Sequence, residues 1–207
     1  MKLAIFGSTG SVGRELVKQA LEQGHEVTAF ARDPAKLGIE HPRLRTVQGN
    51  AMDVTSVERA VRGQDAVLCA LGAGRKGQVR AEGTRNILRA MEATGVRRLI
   101  CQSTLGAGDS HGNLNFFWKY VMFGLLLRTA YADHEEQEKY VERSSVDWTL
   151  VRPAALADGE RTGEYRHGFG GGVRNLQLKI SRADVADFML KQLTDDRYVH
   201  RTPGLSY

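Results

Sequence analysis

The feature that most constrains this chain stands at its start. Lys2-Leu-Ala-Ile-Phe-Gly-Ser-Thr-Gly-Ser-Val-Gly-Arg14 sets a short apolar run against three evenly spaced glycines. Leu3 to Phe6 reads as a strand buried on both faces, as in a parallel sheet covered by helices. Gly7, Gly10 and Gly13 space a tight turn that opens a helix. Behind them Val12, Leu16, Val17, Ala20 and Leu21 recur at helical spacing, and Gly24 marks the stop. One glycine permits the sharp turn, one lets backbone approach a pyrophosphate, and one lets helix pack on strand. The free N–H groups and positive dipole end of the new helix then face the phosphates. Three glycines alone occur in many turns. Their place after an N-terminal strand, with more strand–helix units following, points to a dinucleotide site rather than a structural turn.

Those further units are legible in order. Glu26 to Ala31, Leu44 to Val47, Ala66 to Leu71, Arg97 to Gln102 and Val146 to Arg152 read as strands two to six. Helices are expected from near Val54 to Gly63, from Val79 to Ala93 and from about Tyr131 to Arg143. Ser181-Arg-Ala-Asp184 forms a variant capping box with Asp in place of Glu, starting a helix with Val185, Phe188, Met189 and Leu193 on its inner face. The tail after Tyr198 is expected to pair as a last strand. This alternation predicts an α/β fold, a Rossmann-type doubly wound parallel sheet, and the 207 residues suit a single domain spanning 1–207. Asn115 to Arg128 reads as an aromatic-rich amphipathic helix, expected in the core or at a subunit contact. A flat substrate wall or a membrane-surface contact is the less favoured reading. Residues 156–176 read as a glycine-rich irregular loop, functional or mobile. Glu135, Glu136, Glu138 and Lys139 read as a solvated charged face.

Sites that prefer NAD place a carboxylate near the end of the second strand, to bind the ribose 2′-hydroxyl. Here that place holds Phe30, Ala31 and Arg32. Arg32 and Lys36, one helical turn apart, are suited to clamp a 2′-phosphate, which favours NADP(H), although Asp33 is placed to pair with either base. After the third strand, Asn50, Ala51 and Met52 offer a small polar residue and apolar ones to edge and flank an adenine, while Asp53 is placed to cap the next helix. Gly72-Ala73-Gly74 closes the fourth strand in another backbone turn along the cofactor's path. At the end of the fifth strand Ser103 and Thr104 point hydroxyls into the ligand crevice, or else bond backbone. Gly106, Gly108 and Gly112 make a loop loose enough to act as a lid. His134, with Glu138 four residues on, is the side chain whose chemistry near neutral pH would matter.

Composition narrows the partners. The net charge of +5 suits anionic ligands, but its basic residues are scattered, so nucleic-acid binding is not expected. Cys69 and Cys101 each sit in an apolar strand-like run and read as reduced core residues, and no metal site is expected. No secretion leader is apparent. The longest apolar stretch, Phe116 to Leu127, is broken by Lys119 and too short to span a bilayer, so the expected location is the cytoplasm.

Taken together, the residues resemble the atypical short-chain dehydrogenase/reductases, and among them the biliverdin-IXβ reductase branch, which also reduces flavins with NADPH. The likeness covers nearly the whole length. It is carried by Ile5–Gly13, Val27–Lys36, Gly63–Val67 into Leu71-Gly72, Thr84–Ile87, Asp133-His134, and Ile180-Ser181 into Phe188–Leu190. The resemblance implies NADP phosphates on Gly7, Ser8, Thr9, Gly10, Ser11, Val12 and Gly13, with the 2′-phosphate on Arg32 and Lys36. It implies adenine near Asn50, Ala51 and Met52, Leu71, Gly72 and Ala73 along the cofactor, and Pro153, Ala154 and Ala155 by the nicotinamide. Ser103, Thr104 and His134 fall at the reacting end. The implied partner is a small aromatic acceptor, FMN or FAD included as substrate, held by a part formed from about 106–128 and 154–180. A monomer or weak homo-oligomer is expected.

Three departures carry chemical content. Asn50 replaces the family's aspartate, and Ala155 replaces a second site histidine. The Tyr-x-x-x-Lys pair that passes a proton to a carbonyl in the wider superfamily is absent: four residues after Ala130 and Tyr131 stand His134 and Glu135. Reducing a ketone needs a positioned acid, whereas a flavin or linear tetrapyrrole spreads the incoming charge over its conjugated system. The expected activity is therefore an NADPH-dependent reductase of such an acceptor. The alternatives are a non-catalytic NADP sensor of the NmrA type and a sugar-nucleotide epimerase or dehydratase, the latter disfavoured by the missing pair.

Overall fold

Leu3, Ala4, Ile5 and Phe6 are all fully buried, because strand β1 (Lys2–Phe6) lies in the middle of a sheet with helices on both faces. The computed structural model describes residues 1–72, 79–173 and 175–207. In it β2 (Glu26–Ala31), β3 (Leu44–Gln48), β4 (Ala66–Cys69), β5 (Arg98–Gln102) and β6 (Asp147–Pro153) join β1 in the order β3-β2-β1-β4-β5-β6, every pair parallel. Ile5 sits level with Ala29 on one side and Leu68 on the other. This is the doubly wound Rossmann order, whose direction reverses between β1 and β4. Beyond β6 the sheet continues with β10 (Gly204–Ser206), parallel to β6, and β8 (Arg166–Phe169), antiparallel to β10. The expected last strand is β10. A separate parallel pair joins β7 (Ala155–Ala157) to β9 (Lys179–Ser181).

Two cores cover the two faces. One packs α1 (Ser11–Glu22) and α5 (Arg182–Lys191) on the sheet, with Leu16, Val17, Phe188 and Met189 at its centre. The other packs α2 (Val54–Val61), α3 (Val79–Thr94) and α4 (Arg128–Glu142), with Val57, Ile87, Met91 and Val141. Cys69 and Cys101, level with each other on β4 and β5, are buried free thiols in this second core. Local capping follows the sequence: the Asp53 carboxylate accepts from the N–H groups of Thr55 and Ser56, both at 3.2 Å. Only half of the capping box forms at Ser181. Its Oγ accepts from the Asp184 N–H at 3.0 Å, but the Asp184 carboxylate turns away to Thr162, Gly163 and the Tyr207 hydroxyl.

Three expectations are corrected. The segment 156–176 is not wholly irregular, since β7 begins before it and β8 lies inside it. The aromatic helix is a π-helix, Phe117–Leu126, and none of its residues is fully buried, although Trp118 and Phe123 pack against the first core. Finally, Glu138 is not solvated. It is only 4% exposed, and it accepts two bonds from the Arg152 guanidinium, at 2.9 Å from Nε and 2.8 Å from Nη2. Asp109, on the loop after β5, takes the remaining face of the same guanidinium. Helical spacing could not reveal this, because the partner lies on β6. Its neighbour Asp133 is also buried and accepts from the backbone N–H groups of Arg80 and Ala81, at 3.2 and 3.1 Å, so α4 caps the start of α3.

Removing one member of a buried ion pair strands the other. Glu138→Ala should therefore destabilise the fold by roughly 3–5 kcal/mol. Asp109→Asn, at a carboxylate that is 66% exposed, should cost less than about 1 kcal/mol. Urea titrations of both variants check this, and equal losses would refute the assignment of Glu138 as the principal partner.

Candidate functional site

A cavity of about 1090 Å³ runs along the carboxyl ends of β1, β2, β4, β5 and β6, the place where open α/β sheets bind ligands. Its first zone is the turn from β1 into α1. Gly7, Thr9, Gly10, Ser11 and Val12 line it. Gly10 is the N-cap of α1 and no side chain caps that helix, so the first-turn amides are left for a ligand. Ser8 and Gly13 sit behind the wall: Ser8 is fully buried and its Oγ donates to the Phe30 carbonyl at 3.0 Å. Arg14, which the sequence did not single out, donates from Nε to the Thr9 carbonyl and from Nη1 to that of Leu37, at 3.2 and 3.0 Å. It thereby braces the turn against the segment after β2.

The second zone follows β2 and β3. Arg32 lines the cavity with Phe30 and Ala31, whereas Lys36 stands outside it, largely exposed and 3.5 Å from the Asp33 carboxylate. Asn50, Ala51 and Met52 line the same end. Their turn is held by the Asn50 side chain, which accepts from the Met52 N–H at 3.1 Å, and by Asn86, which donates to the Ala51 carbonyl at 2.9 Å. Leu71 and Gly72 follow from β4; Ala73 lies outside the described residues.

The far end of the cavity brings Ser103, Thr104 and His134 together with Pro153, Ala154 and Ala155. Ser103 Oγ is buried and has no hydrogen-bond partner among the described residues. Thr104 Oγ1 makes only a long bond of 3.3 Å to the next carbonyl. Both hydroxyls thus keep capacity for a ligand. Residues that spacing did not single out complete this end: Arg80 from α3, Tyr131 from α4, and Trp118 and Phe123 from the π-helix. Phe123 packs against Tyr131 with ring centroids 4.9 Å apart, and against Trp118 at 5.8 Å. The result is an aromatic wall; the one available signal for it was the aromatic run itself.

The electrostatics of this end differ from the expectation of a group titrating near neutrality. Burial, reinforced by the charge of Arg80, pushes His134 down to about 3, so the ring is a neutral imidazole. Tyr131 is equally inert as an acid. Its hydroxyl donates to the Gly106 carbonyl at 2.7 Å, and burial, with Glu135 nearby, pushes it up to about 12. Arg80 keeps its guanidinium near the Asp133 carboxylate at 3.5 Å.

An uncapped helix start, a glycine turn, an arginine past β2 and a long cavity over the switch point fit an adenine dinucleotide. A sequence profile of the NAD(P)H-binding family matches residues 7–196. The chain belongs to this family. It is 29% identical over 203 residues to the uncharacterised protein YwnB of Bacillus subtilis, covering 93% of this chain and 92% of YwnB. A wide-type short-chain dehydrogenase/reductase from Veillonella parvula, solved in complex with NADP, superposes with a TM-score of 0.84 at 17% identity, covering 100% of this chain and 94% of that one. ChuY, an anaerobilin reductase from Escherichia coli O157:H7, superposes with a TM-score of 0.78 at 23% identity, covering 100% and 97%. At these identities the structural likenesses establish the fold, and it is the one expected for the atypical short-chain dehydrogenase/reductases.

The neutral His134 has a measurable consequence. The folded ring stays unprotonated down to about pH 3, whereas in the unfolded chain it takes up a proton near pH 6.5. Acid therefore favours unfolding, and stability falls between those values by at most ~1.4 kcal/mol per pH unit from this residue. Denaturation of wild type and His134→Gln from pH 7 to 4 should show a shallower decline in the variant. Parallel curves would show that the ring titrates normally.

Proposed function

We propose that this protein is an NADPH-dependent reductase that passes a hydride to a flavin or another flat conjugated acceptor. One observation carries the reading: a single cavity joins the glycine turn and Arg32 at one end to Ser103, Thr104, His134 and an aromatic wall at the other. When bound, NADPH supplies the hydride. Gly7 to Val12 and the start of α1 hold its phosphates, and the Arg32 guanidinium selects the 2′-phosphate. Asn50, Ala51 and Met52 receive the adenine, while Pro153 to Ala155 back the reacting ring.

Around the acceptor, the chain's residues orient and exclude water. Trp118, Phe123 and Tyr131 give an aromatic wall, and Leu114, Leu127, Leu156 and Leu178 close the sides. All of these but Tyr131, which comes from α4, belong to 106–128 and 154–180, the two segments expected to hold the acceptor. Ser103 and Thr104 offer hydroxyls to charge developing on the acceptor, and His134 offers a neutral imidazole. With Tyr131 bonded to Gly106 and His134 neutral, neither ring is a strong proton donor, and among the described residues of this end no carboxylic acid or imidazolium takes that place. That suits an acceptor that delocalises its charge and is held by stacking and orientation. The fold likeness to ChuY supports the same class of acceptor.

Purified protein should oxidise NADPH with FMN, riboflavin or biliverdin above a heat-killed control; tight NADPH binding without turnover of any of them would instead mark a dinucleotide sensor. Arg32→Ala should raise KM for NADPH by about tenfold to a hundredfold, the worth of a charge-assisted bond of roughly 1.5–3 kcal/mol, and leave KM for NADH nearly unchanged. Equal effects on both would make Arg32 a bystander. Thr104→Val should lower kcat more than it weakens NADPH binding; an unchanged kcat would confine Thr104 to closing its strand.

A further inference from the structure

The π-helix Phe117–Leu126 has two sides, and the cavity uses only one. Its bonding reaches the fifth residue back, as in Leu127 N–H to the Met122 carbonyl at 2.7 Å, so residues four to five apart share a side. Trp118, Phe123 and Leu127 take the cavity side. On the opposite side Phe116, Tyr120 and Leu125 form one row, 74%, 62% and 74% exposed, and Phe117 and Leu126 the next, 53% and 50% exposed. The Phe116 and Tyr120 rings pack together, centroids 4.8 Å apart. These five are most of the large hydrophobic side chains that the described chain exposes. Single exposed hydrophobics need no explanation, but a contiguous set marks a contact surface.

Charge decides what kind of contact it is. From Ser110 to Ala132 the sequence has no Asp or Glu, although the chain carries 24 of them, and its charged side chains there are Lys119 and Arg128. The acids that border the stretch are engaged elsewhere: Asp109 with Arg152 and Asp133 with the amides of α3. A symmetric contact with a second copy would bring Lys119 and Arg128 of both chains to one interface with no acid in the stretch to neutralise them. A surface of anionic headgroups over an apolar interior meets both requirements at once. An apolar face flanked by basic residues is held at such a surface by burial of its side chains together with charge attraction. No helix among the described residues is long and apolar enough to cross a membrane, so the contact would be peripheral.

We propose that the outer face of this helix, Phe116, Phe117, Tyr120, Leu125 and Leu126, docks on an anionic lipid surface, with Lys119 of the helix and Arg128 at the start of α4 flanking that face. The full chain is mixed with vesicles of phosphatidylcholine, with or without phosphatidylglycerol, and floated on a density gradient. Wild type should float with the anionic vesicles, float weakly with the neutral ones, and be released by high salt. Phe116→Ser/Tyr120→Ser/Leu125→Ser should lower the floated fraction by about tenfold or more. NADPH binding, measured on the same sample, should be retained and shows that the variant is folded. Lys119→Glu/Arg128→Glu should abolish the preference for anionic vesicles. The proposal is overturned if wild type does not float or if the triple variant floats equally. It is also overturned if light scattering finds a wild-type dimer that the triple variant converts to monomer, which would make the face a self-association surface.

Discussion

The close seat of α1 on the turn that leaves β1 sets where everything else in the site can be. A Cβ on Gly13 would fall on the Gly7 carbonyl, and one on Gly7 on the Ala70 carbonyl at the end of β4, with Gly7 itself at φ +78°. Backbone touches backbone at both points. The helix therefore begins immediately above the sheet edge, with its unfilled amides over the junction between β1 and β4. Since strand order reverses at that junction, the helices on either side diverge and leave a crevice. Any side chain at Gly13 would lift α1 away from the strand and take its uncapped first-turn amides with it.

The other end of the cavity is framed differently, by buried charge. Arg152 on β6 is gripped by Glu138 of α4 and by Asp109 of the loop after β5, while Asp133 of α4 caps α3. Gly108, at φ +52°, passes so close to Arg152 that a Cβ would lie 2.6 Å from its Nη2. Two of these connections are made by α4 itself, the helix that carries Tyr131 and His134 into the cavity, and the third ties its partner strand to the loop after β5. Such pairs add little to stability compared with apolar packing of equal volume. Their use here is geometric: they fix a helix, a loop and a strand relative to one another where an acceptor would have to be held.

How much of this was legible in the sequence follows from the range of each interaction. The strands, the order of elements, the Asp53 cap and the Ser181 half of the capping box all rest on patterns within a few residues, and they read correctly. Arg32 and Asn50 were placed at the cavity because they follow strand ends whose positions the pattern already determined. Glu138 was misread because a carboxylate on a polar helix looks solvated until its partner, 14 residues on, folds against it. β8 carries Arg166, His167 and Gly168 at a sheet edge, so it has no alternation to detect. The π-helix was misread for a related reason. Period analysis assumes 3.6 residues per turn, and a wider helix divides the same aromatic residues between two sides differently.

The protonation of the acceptor end follows from these same constraints. Because α4 is held against α3, the imidazole of His134 is enclosed beside the Arg80 guanidinium, and a second positive charge there is disfavoured. Tyr131 donates to the Gly106 carbonyl of the loop after β5, and its burial, with Glu135 nearby, suppresses its ionisation. The framework that positions these rings therefore also removes them as acids near neutral pH. The chemistry open to this cavity is set by the packing of its walls as much as by the side chains that line it.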